Sequence, residues 1–136
     1  MISPTLESLR LFVHVLAASV WVGGQIVLAG LVPSVRRTNP EALRTIANAF
    51  GRVAWPAFAI AFLTGVWNLL AVDAAGSGSA YMVTLALKLA LVGVAAAATV
   101  IHSMGNTKLS LALGGAVGLV SSLAVMWLGV LLTSAG

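Results

Sequence analysis

The chain has 136 residues, 60% of them hydrophobic and 7% charged, with a mean hydropathy of +1.09. That composition excludes an ordinary soluble domain and fits one membrane domain spanning residues 1–136. The absence of cysteine excludes a disulfide framework and a thiolate metal site. The net charge of +4 comes without a basic stripe interleaved with aromatics, so no nucleic-acid partner is expected.

Residues 1–10 are a short polar lead-in. Ser3-Pro4 reads as a helix start, with Ser3 as cap, Pro4 at the first helical position and Glu7 in the first turn. The first span, about residues 10–33, is an apolar run long enough to cross a ~30 Å hydrocarbon core at ~1.5 Å per residue. It is too long for a cleaved signal peptide, and no basic segment precedes it. It is expected to end at Pro33. Asn39-Pro40-Glu41 gives a second start signal, and Leu43, Ile46, Ala47 and Phe50 then recur at helical spacing. This predicts a short amphipathic cytoplasmic helix in the first loop, feeding into a second span over about 53–72. Trp55 and Trp67 fall near that span's two ends, as interfacial aromatics do.

Residues 73–80, with Gly76-Ser77-Gly78-Ser79, read as a flexible loop with no structure of its own. A third span over about 81–102 carries Lys88 in its interior and ends near His102. A tight turn at Gly105 to Lys108 leads to a fourth span over about 109–132. Its Gly114, Gly115, Gly118 and Ser122 mark close helix contact, within the bundle or between two copies as a homodimer. The expected fold is therefore an all-α integral membrane protein, an antiparallel four-helix transmembrane bundle. Arg36, Arg37, Arg44 and Arg52 in the first loop and Lys108 in the third put those loops in the cytoplasm of a bacterial-type plasma membrane. Both termini are then outside.

Ionisable groups inside a membrane are costly and turn toward a bundle interior or a bound group. His14 lies ~6 Å down the first helix from Arg10, and Lys88 ~10 Å down the third from Tyr81. Asn68, Met82 and Met126 fall at similar outer depths, so all four spans contribute to one level of the membrane. His102 is ~21 Å deeper than Lys88, beside Met104 at the inner end. His14 and His102 of one chain therefore do not form a bis-histidine pair on one iron.

The motif His14-x6-Trp21-x-Gly23-Gly24, followed by a basic loop, resembles the membrane domain of copper resistance protein D. The third span, from Lys88 to His102, is also similar to small haem-associated protoporphyrinogen oxidases of the HemJ type. That second resemblance implies functional roles for His14 and Lys88. Two readings follow. In the preferred one, b-type haem takes His14 as axial ligand, with Met126, Met82 or a second subunit on the other side. Trp21 and Gly24 then line the cofactor, and Asn68 and Lys88 support it, Lys88 as a partner for a propionate. In the alternative, His14, Met82 and Met126 handle Cu(I) at the outer side. His102 and Arg36 are secondary inner-side candidates. Weaker readings are a HemJ-like oxidase and a structural subunit without a ligand. Trp21 and the glycines also suit plain helix packing, and His102 a solvated inner interface.

Overall fold

The computed structural model describes residues 1–135, which fold into four long helices: α1 (Leu6–Thr38), α2 (Ala42–Ala71), α3 (Ser79–Met104) and α4 (Lys108–Ser134). Among the described residues there is no strand. Each helix is long and apolar enough to cross a membrane, and the all-α four-helix class expected from composition is the class observed. The reason is general. Lipid offers no hydrogen bonds, so a spanning backbone must satisfy its own polar groups, and a helix does so within one segment.

The chain divides into two compact units, residues 1–72 and 73–136, each an antiparallel hairpin of two helices. In the first hairpin, α1 and α2 meet through Ala17, Trp21 and Val22 on one side and Ala54 and Ala57 on the other, all buried. Trp21 forms an edge contact with Trp55 at 5.4 Å between ring centroids and a tilted contact with Phe58 at 4.7 Å. In the second hairpin the buried set is smaller in volume: Ala95 and Ala98 on α3, Gly114, Gly118, Ser121 and Ser122 on α4. A Cβ added to Gly114 would come within 3.0 Å of the Ala98 carbonyl oxygen and 2.9 Å of the His102 backbone nitrogen. The two backbones therefore approach as closely as only glycine permits. At least this part of the glycine pattern serves contact within the hairpin.

Several boundaries differ from the sequence reading. Thr5, not Ser3, caps α1: its hydroxyl accepts from the Ser8 backbone N–H at 3.1 Å, and the Ser8 hydroxyl accepts in return from the Thr5 N–H at 2.9 Å. Pro33 does not end α1, which continues through Arg36 and Arg37 to Thr38. A proline removes one ladder hydrogen bond, and membrane helices tolerate that loss where neighbouring polar groups adjust. The amphipathic segment after Glu41 is helical but is not a helix of its own. It is the opening of a continuous α2, in which Pro56 is internal. Trp55 consequently lies mid-helix, in the aromatic cluster with Trp21. The loop after α2 is also not featureless. A 3-10 turn forms at Ala75–Ser77, where the Gly76 N–H donates to the Asp73 carboxylate at 3.0 Å. Gly78 then enters α3 at φ 93°, a conformation L side chains rarely adopt. The predicted turn before α4 stands, with Thr107 as cap.

Candidate functional site

His14 belongs to the third turn of α1, on the stripe that faces α2. Its Nδ1 lies 2.9 Å from the Ala61 carbonyl oxygen and 2.9 Å from the Thr64 hydroxyl oxygen. A carbonyl oxygen only accepts, so Nδ1 carries the hydrogen and donates. The Thr64 hydroxyl spends its own hydrogen on the Ile60 carbonyl at 2.6 Å. Its oxygen can therefore share the imidazole N–H. In the neutral ring the lone pair then belongs to Nε2. Gly65 lies against the same ring, where a Cβ would come 3.3 Å from Cε1. The half-buried imidazole is thus fixed in tautomer and orientation by one turn of the neighbouring helix.

One turn toward the start of α1, Arg10 is 9% exposed, the one buried cation among the described residues. Its Nε donates to the Asn68 side-chain oxygen at 2.6 Å, and its guanidinium carbon is 5.8 Å from the centre of the Trp67 ring. The antiparallel register explains the pairing. Residues 10 and 14 are a turn apart on α1, and Asn68 and Thr64 are a turn apart on α2, so two polar rungs form across the hairpin. Asn68 therefore holds Arg10. Sequence reading treated Arg10 as an interfacial marker and missed it. The matching four-residue spacings on the two helices were the available signal.

Trp21 is buried in the aromatic cluster, and a Cβ on Gly24 would run into the Phe50 ring. Gly23 has open space around its Cα. Arg36 is exposed near the end of α1.

The other predicted residues lie in the second hairpin. Lys88 faces α4: a Cβ on Gly129 would be 3.2 Å from its Nζ, little more than a turn from the helix end at Ser134. Met126 is half-buried and Met82 is 43% exposed. His102 Nδ1 donates to the Leu111 carbonyl at 2.6 Å, and its ring lies over Gly115, within 3.2 Å of where a Cβ would sit. This ties the last turn of α3 to the first turn of α4.

Among the described residues, no three of His, Cys, Asp and Glu gather as a metal-ion cluster. The first hairpin instead offers one oriented imidazole with a buried guanidinium a turn away. Comparison with protein-family models, with curated proteins and with solved structures returned no match.

Proposed function

We propose that this multi-pass membrane protein binds b-type haem, with His14 as an axial ligand, in the outer half of the membrane. The observation that carries the reading is the bond from His14 Nδ1 to the Ala61 carbonyl. Histidines that ligate metals usually donate their second ring nitrogen to a carbonyl or carboxylate, which fixes the ring and raises its basicity. The donor set fits the group. A porphyrin supplies four nitrogens of its own, so a single imidazole from the protein is a sufficient anchor, and neutral imidazole suits iron. Gly65 itself adds no side chain against the ring, where a Cβ would come 3.3 Å from Cε1. When bound, haem iron supplies one-electron chemistry whose potential follows from its axial ligands. The protein's own part is to hold Nε2 in place through Ala61 and Thr64. The resemblance of His14-x6-Trp21-x-Gly23-Gly24 to copper resistance protein D singles out the same histidine. The cluster of arginines at the α1–α2 connection favours that end inside and both termini outside.

The test is the visible spectrum and metal content of the purified protein beside His14→Ala and His102→Ala. The expected result is a Soret band in the native protein and in His102→Ala, lost in His14→Ala. Loss in His102→Ala with retention in His14→Ala overturns the proposal. A colourless protein that takes up Cu(I) through His14 would replace haem with copper handling.

A further inference from the structure

Arg10 lies one turn from His14, and its position is unusual. A charged group buried away from water is costly unless it is paired with an opposite charge. Arg10 is buried near the start of a membrane-length helix, and the partners it has there are neutral: the Asn68 amide oxygen and the Trp67 ring. The guanidinium has five N–H donors in a rigid planar fork. Asn68 engages the one on Nε. The terminal edge, with two nitrogens spaced to match a carboxylate, is therefore aimed by the Asn68 bond and the indole and not consumed by them. Its charge is also not balanced by either. A guanidinium that is held in place with its terminal edge unpaired and reachable is suited to receive an anion.

We infer that Arg10 is the anchor for a carboxylate of the ligand held at His14, the propionate of the macrocycle. This rests on the haem reading of that site. The two residues are one turn apart on the same stripe of α1, and both are fixed by the same two turns of α2, through Thr64 and Asn68. Arg10 is the one nearer the helix start and so nearer the membrane surface. A ligand with an apolar ring system and acidic arms would bury its ring toward His14 and its carboxylates toward Arg10. This places the propionate contact in the first hairpin, on a residue the chain pattern did not single out, rather than on Lys88.

The experiment compares iron protoporphyrin IX with its dimethyl ester, which keeps the ring and iron but lacks the carboxylates. Both are titrated into the full-length apoprotein in phosphatidylcholine nanodiscs and followed by absorbance. The informative quantity is the change in the ratio of the two dissociation constants from native to variant, in which the difference in partitioning cancels. From the native protein to Arg10→Gln, the preference for the acid over the ester is expected to fall by roughly 10- to 100-fold, the worth of a charge-assisted pair. The Soret position of the ester complex should stay unchanged, because His14 still ligates. Asn68→Asp gives the same loss of preference with Arg10 in place, since a built-in carboxylate neutralises it. That variant tests the idea without emptying a buried site.

An unchanged ratio in both variants overturns the inference, as does equal weakening of acid and ester. If Arg10 instead serves a lipid phosphate, Arg10→Gln alters binding only when phosphatidylglycerol is present, and the ratio does not move. That outcome also overturns it. Failure of the haem reading has a different signature: His14→Ala then binds acid and ester as the native protein does.

Discussion

The two hairpins solve the same problem by different means. In lipid there is no hydrophobic drive to press two apolar helices together, so contact must come from packing, hydrogen bonds or aromatic pairs. The second hairpin uses small residues. Gly114, Gly118, Ala95 and Ala98 bring the backbones of α3 and α4 close, and Ser121 and Ser122 are buried, Ser121 bonding back to its own helix at the Val117 carbonyl. The first hairpin uses large and polar side chains, with the Trp21–Trp55–Phe58 cluster in its middle and the two rungs at His14 and Arg10 toward the end where α1 starts. Close backbone packing at Gly114 leaves no room there even for a methyl group. Polar rungs leave the His14 and Arg10 side chains oriented by the facing helix, which is why the proposed site lies in the first hairpin.

The sharpest way to break this comparison is Gly114→Leu. The added side chain meets backbone atoms at 2.9–3.0 Å that have nowhere to retreat. The expected loss is about 3 kcal/mol or more, read as a lower melting temperature in detergent. Leu131→Ile on the same helix is expected to be neutral. Equal tolerance at both positions would remove the small-residue account of the second hairpin.

Trp21→Ala should cost less. It deletes the ring contacts with Trp55 and Phe58 at ~0.5–1.5 kcal/mol each, about 1–3 kcal/mol from those two, and it places no atom against the backbone. A smaller loss than for Gly114→Leu is the expected order, and the reverse order would mean the first hairpin depends on packing more than the second.

The His14 and Thr64 pair should show a coupling of about 0.6–1.7 kcal/mol in a double-mutant cycle with His14→Ala and Thr64→Val, the range of hydrogen bonds between membrane helices. Zero coupling would mean that the Ala61 carbonyl alone holds the ring. The smallest effect has the opposite sign. Gly93 on α3 has nothing near its Cα within 4 Å, so Gly93→Ala should stabilise by ~0.5–1 kcal/mol through helix propensity alone. Destabilisation there would reveal a contact on that face.

What the sequence by itself determined is what depends on local composition and period. Four apolar runs of membrane length fixed the number and type of elements, because the choice between helix and strand in lipid is made by length and backbone satisfaction. The breaks at Gly105 to Thr107 and after Val72 were legible from turn residues. Local signals failed where a strong breaker was outweighed. Pro33 sits inside a continuous helix, since it costs one ladder bond while the flanking turns keep theirs. His14 stood out as a costly residue in an apolar run, but not what it touches. Its bond to Ala61 goes to a backbone carbonyl, a group every residue carries and no sequence pattern marks. Arg10 read as a surface charge because burial depends on whether a partner helix covers the position, and that was decided only when α2 folded back and brought Asn68 and Trp67 against it. Tertiary structure thus settled which polar residues are held and by what, because those energies are pairwise and the pairs lie 47 to 58 residues apart along the chain.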